Sequence, residues 1–141
     1  MQTLLSNVRF EEMVAQGSRG AGQTDINGAA VDMKGYEGCL IRVEMGSITA
    51  NADTSLKAQE SDSSTSGWTD IEGAEITIAD DDDNNYVSLD VANIRKRYFR
   101  GVVDRGTQNA AIRSAQYIKY NPSYAETTQP SDDLTLVVTP A

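Results

Sequence analysis

The chain has 141 residues, a length that suits one domain with one core and leaves no room for two ordinary domains and a linker. Hydrophobic residues make up 39% of it and aromatic residues are few, so the core has to be assembled from Val, Ile, Leu, Ala and a handful of tyrosines. A formal charge of −9 sets a repulsive field against nucleic acids and anionic membranes, whose binding draws on Lys and Arg, and neither is expected as a partner.

Residues 1–12, MQTLLSNVRFEE, lack an unbroken apolar stretch behind a basic end, so no signal peptide is expected there. No segment approaches the roughly 20 apolar residues that span a bilayer. Synthesis in a cytoplasm is the expectation. The remainder of residues 1–24 mixes a short possible helix with the glycine-rich run 16–23, which is hard to hold in regular structure. Residues 1–24 therefore read as a flexible N-terminal arm and residues 25–141 as a single β domain.

From Asp25 the pattern changes to short β-type segments separated by Gly, Asp, Asn and Ser. A first strand is predicted near residues 30–33 and a second over residues 39–45, where Ile41, Val43 and Met45 alternate with Arg42 and Glu44 as in a half-buried strand. The lone cysteine, Cys39, begins that apolar run and reads as a small buried hydrophobe; no intrachain disulfide can form. Leu56 and Ala58 continue the alternation across residues 54–61. The polar run 61–67 can bury almost nothing and reads as a solvent loop leading to Trp68 and Ile71, and Ile76 with Ile78 marks a further strand. Asp80, Asp81, Asp82 and Asp83 repel one another and predict a turn before a strand at residues 86–91. Residues 97–103 and 111–120 are expected to pair as a hairpin across the turn 104–109. A polar connector holding Pro122 and Pro130 then leads to a terminal strand at residues 134–138, free to reach a distant edge or a neighbouring subunit. About eight strands with almost no helix predict an all-β, antiparallel β-sandwich, jelly-roll or immunoglobulin-like in order.

The absence of histidine removes the commonest general base and metal ligand and every Ser-His-Asp or Cys-His arrangement, so no enzyme and no cofactor are expected. Carboxylate pairs of the glycosidase kind need a cleft and one raised pKa, whereas the acidic residues here cluster in apparent loops. The order of Gly17, Gly20 and Gly22 departs from the dinucleotide fingerprint, and the aspartate run lacks the spaced ligands of an EF-hand loop. Trp68 reads as a residue covering a sheet, one aromatic being too little for a sugar platform. The single basic concentration is Arg95, Lys96 and Arg97 with Arg100 and Arg105 nearby, adjoining Tyr98 and Phe99. It is either a plain solvent face or an intermolecular contact, because Arg and Tyr are enriched where protein surfaces meet.

The stretches Asp32-Met33-Lys34-Gly35-Tyr36-Glu37-Gly38, Ser47-Ile48-Thr49-Ala50, Leu56-Lys57-Ala58-Gln59-Glu60-Ser61-Asp62 and Trp68-Thr69-Asp70-Ile71-Glu72-Gly73 resemble small structural proteins that accompany major capsid proteins in tailed phages. The resemblance continues through Leu89-Asp90-Val91 and Arg97-Tyr98-Phe99-Arg100 and covers roughly residues 25 to 120. It implies a capsid cement or decoration protein at the virion surface, bound outside the shell as a homo-oligomer, with the major capsid protein and itself as partners. A tail- or fibre-associated adhesion module that binds a host surface or glycan is the competing reading.

Overall fold

The computed structural model describes residues 3–122, 129–130 and 134–137. Nine strands form: β1 (Val8–Glu12), β2 (Ile26–Asn27), β3 (Val31–Asp32), β4 (Tyr36–Ile48), β5 (Thr54–Ser61), β6 (Thr69–Ile78), β7 (Tyr86–Val91), β8 (Tyr98–Asp104) and β9 (Ala110–Pro122). The described residues contain no α-helix, only three short 3-10 turns at Leu4–Ser6, Gln16–Ser18 and Asp80–Asp82.

The strands assemble into two antiparallel sheets, one ordered β1-β9-β4-β7 and the other β2-β8-β5-β6, with β3 also on β8. Because β2 and β3 both pair with β8, they act as one interrupted strand. Counted that way, consecutive strands cross repeatedly between the sheets in the jelly-roll pattern. Of the two orders the sequence left open, this is the one adopted.

Period-two alternation builds the core. Cys39, Ile41, Val43 and Met45 of β4 are fully buried and face Leu56 and Ala58 of β5 and Phe99 and Val103 of β8. Phe99 and Tyr117 meet edge to face with ring centroids 6.0 Å apart, at an interplanar angle of 70°. The Tyr117 hydroxyl accepts from the Gly101 amide at 2.9 Å and donates to the Ala29 carbonyl at 2.7 Å, so the largest core residue also ties the sheets together. Gly28 passes so close to that hydroxyl that a Cβ would collide with it.

Four expectations are corrected. Residues 1–24 are not a free arm: β1 pairs along its whole length with β9, from Val8 opposite Tyr120 to Glu12 opposite Gln116, and Met13 and Val14 enter the core. The pairing places Arg9 and Glu11 on the inner face beside Lys119 and Tyr117, an inverted polarity that hides the strand from hydropathy patterning. There Lys119 Nζ lies 2.9 Å from Glu11 Oε2, donates to the Asp32 carbonyl at 3.0 Å and sits over the Tyr36 ring. Next, β8 and β9 are not a hairpin but lie in different sheets. The turn between them arches over the end of the sandwich, with Gly106 at φ +57 packed against the Asp53 carbonyl where no Cβ fits. The segments near Trp68 and Ile76 are one strand, β6, kinked where its register on β5 slips between Lys57 and Gln59. Finally, residues 134–137 lie outside every strand, and residue 138 falls outside the described residues.

Candidate interaction surface

The six residues singled out from sequence do not form one patch. Arg95, Lys96 and Arg97 lie in the loop between β7 and β8, Tyr98 and Arg100 on β8, and Arg105 just past its far end, roughly 20 Å along the strand. Arg97 donates to both carboxylate oxygens of Asp32, through Nη2 at 2.9 Å and through Nε at 3.2 and 3.3 Å. The register sets up this fork, since Asp32 of β3 stands opposite Tyr98 of β8. The guanidinium holds the Asp32 carboxyl below its usual range, through its hydrogen bond above all, and lies 5.3 Å from the Tyr98 ring centroid. The Arg95 amide donates to Glu60 Oε2 at 3.3 Å, while the Arg95 side chain is exposed and Lys96 is half-buried.

Arg100 belongs to a polar row on the outer face of the β8-β5-β6 sheet, where Arg100, Gln59 and Asp70 stand in register. Its Nε donates to Gln59 Oε1 at 2.8 Å, Gln59 Nε2 donates to Asp70 Oδ1 at 2.8 Å, and Lys57 Nζ is 3.3 Å from the same carboxylate oxygen. The Trp68 indole lies over the Arg100 guanidinium at 4.5 Å. Trp68 thus covers a sheet, as its sequence context implies.

Arg105 is buried, and its role is internal. Nε donates to the Thr24 carbonyl at 2.6 Å, and Nη1 to the carbonyls of Gly20 at 2.7 Å and Ala110 at 2.9 Å. It pins the glycine-rich loop against the start of β9, where Gly22 bridges Ala110. Sequence gives no signal for this, since a buried Arg reads the same as an exposed one.

Cys39 is a buried free thiol, and burial pushes it up to about 12, so it stays protonated and unreactive. Among the described residues no group of three or more Asp, Glu, Cys or His is placed to hold a metal ion. The aspartate run folds locally instead, with Asp82 accepting from the Ala79 amide and Asp80 from the Asn51 amide.

No protein-family model matches the chain, and no curated protein matches it. Among solved structures it is similar to the Tobacco streak virus coat protein, at 14% sequence identity and a TM-score of 0.40, over 96% of this chain and 100% of that one.

Proposed function

We propose that this chain is a virion structural protein that decorates the outside of an assembled bacteriophage capsid and stabilises it. The observation that carries the reading is the jelly-roll order of a sandwich whose polar groups are spent on holding strands and loops together. That architecture recurs in capsid and lectin domains. The resemblance of residues 25 to 120 to phage head proteins supports the capsid use of it. The basic loop of Arg95, Lys96 and Arg97, with Tyr98 and Arg100 following on β8, is the candidate contact with the major capsid protein; Arg105 is not part of it, because it is buried.

Stabilisation follows from mass action: a protein that binds only the assembled shell draws the equilibrium away from disassembly, and many weak contacts add up across a lattice. The adhesion reading is less favoured, because an arginine already lies over the Trp68 ring that would stack on a sugar.

Quantitative mass spectrometry of purified virions tests the proposal. A copy number in simple proportion to the major capsid protein supports it, a few copies per particle point to the tail, and absence discards it. Pelleting the protein with assembled heads adds a residue-level check: Arg95→Ala with Lys96→Ala weakens capture if the basic loop is the contact.

A further inference from the structure

Apart from Leu4, the large apolar side chains that the described residues leave in water fall in two places. One is the segment 134–137, where Leu134 is 102% exposed, Leu136 83% and Val137 47%. It makes no backbone hydrogen bond among the described residues and lies beside β1, lining a shallow cleft with Leu5, Phe10, Glu12 and Arg19.

The other place is the opposite side of the molecule, where β6 and β7 are both sheet edges, pairing among the described residues only with β5 and β4. Ile76 is in register with the fully buried Leu56 and so points between the sheets, yet it is 38% exposed because no described residue closes the gap there. The cleft holds about 440 Å³ and is lined by Ile76, Thr77, Tyr86 and Val87 with Asp82 and Asn84 at its rim. A second cleft of about 390 Å³, beside Ile71, Val91 and Ile94, lies along the same pair of edges.

An open strand edge with an apolar floor takes an extended segment, the main chain supplying hydrogen bonds and the alternate side chains filling the gap. The order Leu134-Thr135-Leu136-Val137 has the required alternation. We propose that this segment of one copy adds as a strand to β7 of a second copy, with Leu134 and Leu136 against Val87 and Ile76.

The donor segment is itself uncharged, so it enters the cleft beside Asp82 without burying a charge. Donor and acceptor sit at opposite edges of one sheet, so the contact is head to tail, each copy giving and receiving, and it closes into a ring or continues as an array. A four-residue strand buries less than the roughly 1,200 Å² of a stable pair, so assembly depends on concentration and gains from closure. None of this rests on the capsid reading.

Sedimentation of the full chain over a concentration series tests the proposal. It is run beside the double variant Leu134→Ser/Leu136→Ser and a mixture of separately purified Leu136→Cys and Ile76→Cys proteins. Cys39, buried and protonated, does not compete in the cross-linking. The expected result is assembly of the native chain and loss of that assembly in the double variant at an unchanged thermal midpoint. A disulfide-linked dimer forms in the cysteine mixture and in neither protein alone. A native chain that stays monomeric throughout, or assembly that survives the double variant, overturns the proposal. So does dissociation by the double variant without the cross-link, which would seat the leucines on a different surface.

Discussion

Arg105 illustrates how a residue that reads as surface charge becomes internal scaffolding. Its guanidinium meets three backbone carbonyls, those of Thr24 and Gly20 at part-buried contacts and that of Ala110 at a buried one. Arg105→Ala is expected to cost about 2–4 kcal/mol in urea unfolding, the range for stranding polar groups that a charged donor had satisfied. Arg105→Lys recovers only part of that, because an ammonium group cannot reproduce the planar fork. A second residue-scale prediction concerns pH. Burial raises both the Cys39 thiol and the Tyr117 hydroxyl, so the neutral forms are favoured in the fold while the unfolded chain ionises first. Their contribution is fully present below the unfolded values of 9.0 and 10.0 and is lost as pH rises above them, for Cys39 up to about 12. Cys39→Ala is expected to flatten part of that alkaline limb in unfolding measured across pH, whatever its cost at neutral pH. Asp32 gives the acid counterpart: Arg97 depresses its pKa, so stability is present above 3.8 and fades below it, and Asp32→Asn removes that dependence.

At the scale of elements, the strands legible in sequence were those whose inner face is apolar. The alternation in β4, β5 and β7 marked each of them, because one face of each meets the core and the other water. β1 escaped notice because Arg9 and Glu11 point inward at a sheet edge, where the Glu11 carboxylate lies between the Arg9 and Lys119 cations. Such inward charge is one of the ways an edge strand is kept from pairing with other chains. A side chain also guards that edge. Gln129 accepts from the Phe10 amide at 2.9 Å and donates to the carbonyls of Val8 at 2.6 Å and Leu5 at 3.1 Å, standing in for one residue of a neighbouring strand. Gln129→Ala is expected to lower stability by about 1–2 kcal/mol in chemical unfolding and to speed amide exchange at Phe10. Loss of the first without the second would mean that Gln129 does not cover the edge.

For the whole molecule, the pairing of β1 with β9 sets residues 8–12 against residues 116–120, so segments more than a hundred residues apart share one sheet. Deleting residues 1–12 is therefore expected to abolish cooperative unfolding and near-ultraviolet circular dichroism; a truncated chain that still melts cooperatively would return the segment to the status of an appendage. The class of the fold, the lone core cysteine and the absence of histidine chemistry were fixed by residue types and their spacing, which act locally and can be read along a line. Sequence could not reveal that β8 and β9 part into different sheets, or that the two glycine-rich and arginine-bearing segments lock together. It also could not place the Ile76 groove and residues 134–137 at opposite edges. Those facts depend on which strands become neighbours, and that choice is made by the packing of two inner faces and the closing of loops across the sandwich, energies that belong to pairs of distant residues and to no stretch of the chain alone.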